Sequence, residues 1–350
     1  MSALLTGALL FALLLLVVSP ALRELFLPTD IDPLNVPRDH DNLATRFADN
    51  YRARVEQVLQ APLPAALLQP DAAERAAKHG LQWCPADHAS ESTPSPLVGA
   101  GNLSVLAGSQ HRHEVYAAGD LVLGRDAQAR AAYAEGDLRL EPGARVHRWA
   151  HGQNVALGAG SRVSARVTAR HAIVLAEGAR FLRAQAPTVR VERPGAAAAG
   201  GRQPVAAGER VEFSGGAGCH LDVDGGRWLV SRSLQLAPGT DVEHDLIVHG
   251  DAELGAACHL RGSLKVHGRL QLSERCVIDG ACIVVGAAQI GPQSTIAGPL
   301  VGEGLVAIGE EATIGRSDAP TSVNGQRIDL APGATVHGSV WAKIDAGAQG

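Results

Sequence analysis

The chain has 350 residues, a formal net charge of -5, 40 glycines and only 3% aromatic residues. That length is enough for one large or two ordinary domains, but the shortage of Phe, Tyr and Trp speaks against a conventional globular core. The mild acidity gives no basis for nucleic-acid binding, and five cysteines without paired spacing do not form a disulfide framework and point to a reducing compartment.

The first element is apolar. Residues Ala3 to Leu22 carry no charge, about the length a helix needs to span a bilayer. No Lys or Arg precedes the run, whereas Arg23, Arg38, Arg46, Arg52 and Arg54 follow it. The positive-inside rule then predicts a single-pass transmembrane anchor over residues 1–22 with a cytoplasmic body. A cleavable signal peptide ending near Ser19-Pro20-Ala21 is the competing reading and would place the body in the periplasm.

Residues 23–96 read as a linker, proline-punctuated at first and then rich in Ala, Pro and Ser. A short amphipathic helix is predicted near residues 41–59. There Leu43, Phe47, Tyr51 and Val55 recur every four residues as one apolar stripe, suited to docking on the body.

Two repeat arrays follow, at 97–184 and 227–344. In the second, units of 18 residues start at 227, 245, 263, 281 and 299. The unit at 263 places Leu264, Val266, Leu270, Leu272, Cys276 and Ile278 at equivalent apolar positions. Pairs spaced by two point to one face of a strand. A phase break every six residues turns the chain, with Gly250, Gly268, Gly286 and Gly304 at one break and Gly262, Gly280 and Gly298 at another; glycine admits the positive φ of tight corners. Three short strands per unit predict an all-β fold, a triangular parallel β-helix with an aliphatic interior too narrow for aromatics. The first array fits the same template, with Val115, Ala117, Leu121, Leu123, Ala127 and Ala129 in one coil. Residues 185–226 break the period and read as an extruded loop or a linker. Residues 345–350 read as a tail.

The units "DLIVHGDAELGAACHLRG" and "SLKVHGRLQLSERCVIDG", with the Gly-Asp-Leu steps at Gly119-Asp120-Leu121 and Gly136-Asp137-Leu138, resemble those of bactofilins. That family comprises polymer-forming bacterial cytoskeletal proteins built from short β-helices. The resemblance covers roughly 113–184 and 227–344. It implies a non-enzymatic scaffold that assembles with itself and localises envelope or polysaccharide-building machinery; the predicted anchor, not the resemblance, places that scaffold at the inner (cytoplasmic) membrane. The apolar N-terminal run and the two separated arrays depart from the family pattern.

A β-helix end exposes unpaired backbone groups. Self-association is therefore expected through the last coils, at Ile328, Leu330, Val336 and Val340. A second expectation concerns charge. Arg145, Arg162 and Arg180 hold equivalent positions on successive coils, with Arg148 and Arg166 as a second pair. Such rows fit an anion-binding strip for an anionic polymer, lipid headgroups or an acidic partner, or a solvated surface.

An enzyme is the main alternative. Leu254-Gly255, Ile290-Gly291, Ile308-Gly309 and Ile314-Gly315 are in the style of hexapeptide-repeat acyltransferases, and His220 is the loop histidine that could act as base. An extracytoplasmic carbohydrate-binding β-helix is the third reading, but Asp245, Asp251, Glu253 and Asp279 scatter over different sides. Cys258 and Cys276 read as core rungs rather than a metal site or disulfide. His249 and His267 stack outward without a third ligand. "DVDGG" at 222–226 lacks the closing acid of a calcium loop. No phosphate loop, HExxH or GxSxG sequence occurs, so no cofactor or metal is expected.

Overall fold

The computed structural model describes residues 41–193, 211–215, 218–222 and 226–349. The predicted anchor, residues 1–22, lies outside the described residues. Among the described residues, no helix is long and apolar enough to cross a membrane.

The chain is a β-solenoid of about 14 turns. Most of its strands are two to four residues long and pair in parallel with the strand one coil away. The register is the sequence period itself: Leu246 pairs with Leu264, Leu264 with Cys282, and Cys282 with Leu300. The first array steps by 17 or 18, with Val115 on Ala132, Ala132 on Ala150, and Ala150 on Val167. Inward positions form one aliphatic ladder. Leu264, Val266, Leu270, Leu272, Cys276 and Ile278 are all buried, whereas Lys265 between the first two is exposed. Phe181 is the one aromatic buried inside this ladder among the described residues.

The corners work differently from expectation. Gly250, Gly268 and Gly286 are not in the left-handed region. They are required because the preceding coil passes too close. A Cβ on Gly268 would lie 2.2 Å from Asp251 Oδ1 and 2.7 Å from the carbonyl of Gly250. The same aspartate explains the Gly-Asp step. Asp251 Oδ1 accepts the N–H of Arg269 at 2.7 Å, and Asp120 Oδ1 accepts the N–H of Asp137 at 2.8 Å. A short acidic side chain thus satisfies a corner amide that sheet pairing leaves open, and the next glycine leaves it room. The left-handed residue sits at another corner, where Ala257, Arg275, Gln293 and Glu311 occupy successive coils with φ near 57°.

Coils begin earlier than the sequence suggested. Gln82–Cys84 and His88–Ser90 already pair with Leu97–Gly99 and Leu103–Val105, so the end of the expected linker, from Gln82 on, is the first coil. Before it, the helix Asp41–Leu59, a 3-10 turn at Ala65–Leu68 and the helix Ala72–Lys78 pack on the outside of the first array. The long helix docks through Ala48, Tyr51, Val55 and Leu59 over Tyr116, Tyr133 and Trp149, a face rotated from the expected stripe. Phe47 is left 52% exposed at its flank.

The two arrays form one continuous solenoid. The first ends in Arg180–Val191 and the second in Thr335–Ala348, and these strands pair antiparallel. Ala184 meets Val340 and Val189 meets Val336. The arrays therefore join with their C-terminal coils face to face. The expected tail, residues 345–350, contributes its first four residues to this strand. Within 185–226, residues up to Val191 complete the last coil of the first array. At the far end of the second array, Val211–Glu212 covers the edge at Thr240–Val242, and Cys219–Asp222 forms a hairpin with Arg227–Val230.

Candidate functional site: an arginine corner

Three successive coils turn the same corner with similar sequences, "RVHRW" at 145, "RVSAR" at 162 and "RFLR" at 180. Val146, Val163 and Phe181 are the inward residues, so the flanking arginines point out. Arg145 pairs in register with Arg162, and Arg162 with Arg180. On the other flank, Arg166 pairs with Arg183, and Arg148 O accepts the N–H of Arg166 at 3.0 Å. Two arginine rows thus border one corner.

Their charges are not equivalent. Arg180 is bound to Asp329 at 3.1 Å and lies 3.6 Å from Asp345, both in the second array. The expected strip Arg145, Arg162, Arg180 is therefore neutralised at its Arg180 end. No carboxylate among the described residues forms an ion pair with Arg145, Arg148, Arg162 or Arg183. Burial, and then the nearby charge of Arg183, pull the Arg166 guanidinium below its usual range. The row repels itself, as closely stacked like charges must.

Apolar groups complete the corner. The Phe47 ring lies 5.4 Å from Arg166 Cζ, and the Trp341 ring 5.3 Å from Arg183 Cζ, both in cation–π range. Along the second row a cleft of about 240 Å3 is walled by Phe47, Trp149, Ala165 and Leu182 with Arg148, Arg166 and Arg183. Such a site can bind an oxyanion through guanidinium forks while apolar walls contact whatever the anion is attached to. Sequence reasoning missed Arg183, although it continues the row one coil after Arg166. It had no route to Phe47, whose helix docks sideways, or to Trp341, which arrives from the other array.

The expected self-association residues are placed elsewhere. Ile328, Leu330, Val336 and Val340 are buried core rungs. The strand Thr335–Ala348 is paired on one side with Thr321–Leu330 and on the other with Arg180–Val191. That edge is filled from within the chain, which corrects the expectation that it is open to a second copy.

His220 lies on a hairpin strand opposite Leu229, with an exposed side chain. His249 and His267 stack with centroids 4.9 Å apart. No group of three metal-ligating residues occurs among the described residues. Cys258 and Cys276 are free, buried thiols donating to the carbonyls of Ala237 and Gly255. Asp245 and Asp251 accept corner amides, and Asp279 contacts His259 at 2.9 Å.

Comparison of the chain with family models, curated proteins and solved structures returns no match.

Proposed function

We propose that the chain is a membrane-tethered, bactofilin-like structural scaffold that associates with itself and positions cell-envelope machinery. The observation that supports this reading most is the continuous solenoid with its internally closed junction. Among the described residues its interior is a buried aliphatic ladder, and its outer faces carry ordered rows of side chains. The apolar run in the sequence supplies the tether.

Self-association then belongs at the solenoid ends opposite the junction. Among the described residues, Leu234–Leu236 and His88–Ser90 each pair on one side only. Leu234 N donates to Asp251 O and Leu236 O accepts from Gly255 N, so the backbone of Gln235 faces the open end. An unpaired edge of this kind is a template for another strand. Light scattering of the full chain in detergent over a range of concentrations tests the reading. Concentration-dependent assemblies that Gln235→Pro reduces support it, and a monomer throughout that range refutes it.

A further inference from the structure

We propose that the arginine corner rests on an anionic lipid bilayer, holding the solenoid against the membrane along one edge. The inference builds on the tethered-scaffold reading and specifies which surface meets the lipid.

Charge is the first observation. In a chain of net charge -5, Arg145, Arg148, Arg162 and Arg183 fall on three successive coils, roughly 10 Å along the axis. They lack carboxylate partners among the described residues, and the carboxylates that join this corner from the second array, Asp329 and Asp345, are engaged by Arg180. Guanidinium groups bind phosphate in a bidentate fork.

Exposed apolar side chains at the same place are the second. Phe47 is 52% exposed beside Arg166, and Trp341 45% exposed beside Arg183. Ile344 is 54% exposed three residues after Trp341, next to Lys343. The register of Arg183 on Trp341 and Phe181 on Ala346 places these residues at the arginine corner. Aromatic rings at headgroup depth within a cationic collar suit a bilayer interface. A soluble acidic polymer would satisfy the arginines and leave Phe47, Trp341 and Ile344 in water, so the bilayer is the better complement.

The third observation is in the sequence. Leu22, the end of the apolar run, precedes Phe47 by 25 residues, a contour of at most roughly 90 Å. A tether of that length turns docking into an intramolecular step, for which weak headgroup contacts suffice.

The test uses the full chain in nanodiscs of phosphatidylcholine, with or without phosphatidylglycerol, carrying acyl chains brominated near the headgroup. The Trp341 signal is the difference in fluorescence between the native chain and Trp341→Phe. Trp341 should be quenched only when phosphatidylglycerol is present, and salt should reverse the quenching. The ratio of docked to undocked chain should fall roughly fivefold for each of Arg162→Ala and Arg183→Ala. A chain that does not float with the discs overturns both this inference and the tether. A chain that floats without Trp341 quenching overturns this inference alone. So does equal quenching in phosphatidylcholine, or binding of soluble polyphosphate at the corner without lipid contact.

Discussion

Arg180 and Asp329, 149 residues apart, meet at 3.1 Å across the junction of the two arrays. The contact exists because both arrays end there. Coils that advance toward each other circulate in opposite senses, so their edges pair antiparallel. The junction also carries Arg183 on Trp341 and an ion pair between Arg193 and Glu311. Most of its strength lies in the closed ladder rather than in these partly exposed charges. Arg180→Ala should cost about 1 kcal/mol. Val340→Asp places an unpaired carboxylate opposite Ala184 and should cost several kcal/mol, about 3 or more. Hydrogen exchange should show amides 184–190 and 336–341 losing protection together in Val340→Asp while the coils around Leu264 keep theirs.

The corner glycines separate two kinds of demand. Gly268 has ordinary φ but no room, with Asp251 Oδ1 2.2 Å from where its Cβ would be. Gly160 has φ +63° and nothing within 4 Å, and Asp126 adopts the same geometry at the equivalent position two coils earlier. Gly268→Ala should therefore destabilise by about 2 kcal/mol, through displaced backbone and a weakened Asp251 to Arg269 hydrogen bond. Gly160→Asn should stay within about 1 kcal/mol of the native chain, because Asn tolerates that conformation. Urea midpoints of the two variants check this, and a reversed order would refute the assignment.

The long helix depends on one carboxylate. Glu135 Oε1 accepts from Arg52 Nε at 2.6 Å and from the Tyr116 hydroxyl at 3.0 Å. Glu135→Ala leaves the buried Tyr116 hydroxyl and the part-buried Arg52 Nε without it, at a cost of about 2 kcal/mol. Glu135→Gln keeps an acceptor and should lose less. Limited proteolysis within 41–59 should quicken in the alanine variant, with little change in the coils around Leu264.

Much of the solenoid was readable because its rules are local. An inward pair every six residues needs only short-range information, so register and core rungs such as Cys258 and Cys276 follow directly from the period. The junction was unreadable because Arg180 to Val191 and Thr335 to Ala348 carry no mark of antiparallel pairing. For the same reason the arginine rows were visible but their neutralisation at Arg180 was not. The first coil at Gln82 escaped because one coil shows no period. The corner glycines were found for the wrong cause, since sequence does not distinguish a left-handed φ from a neighbour at 2.2 Å.

His151 makes stability depend on pH. Its ring is 2% exposed, lies 5.1 Å from Tyr133, and has Nδ1 2.7 Å from Thr168 Oγ1. Burial, and then repulsion from Arg170, lower its pKa from 6.5 to about 4, with Asp49 and Glu135 opposing. The sign follows from linkage. Below about 6.5 the unfolded chain takes up a proton that the folded chain refuses until about pH 4, so folding loses stability as pH falls through that window. The loss should reach about 2 kcal/mol between about pH 7 and about pH 5. His111 is shifted in the same direction by burial. His151→Gln removes the titrating ring and keeps a group able to hydrogen-bond Thr168. Urea unfolding of both chains at the two pH values should show a shallower loss in the variant. Equal losses would mean that His151 is protonated in the folded chain or that its site opens to solvent well above pH 4.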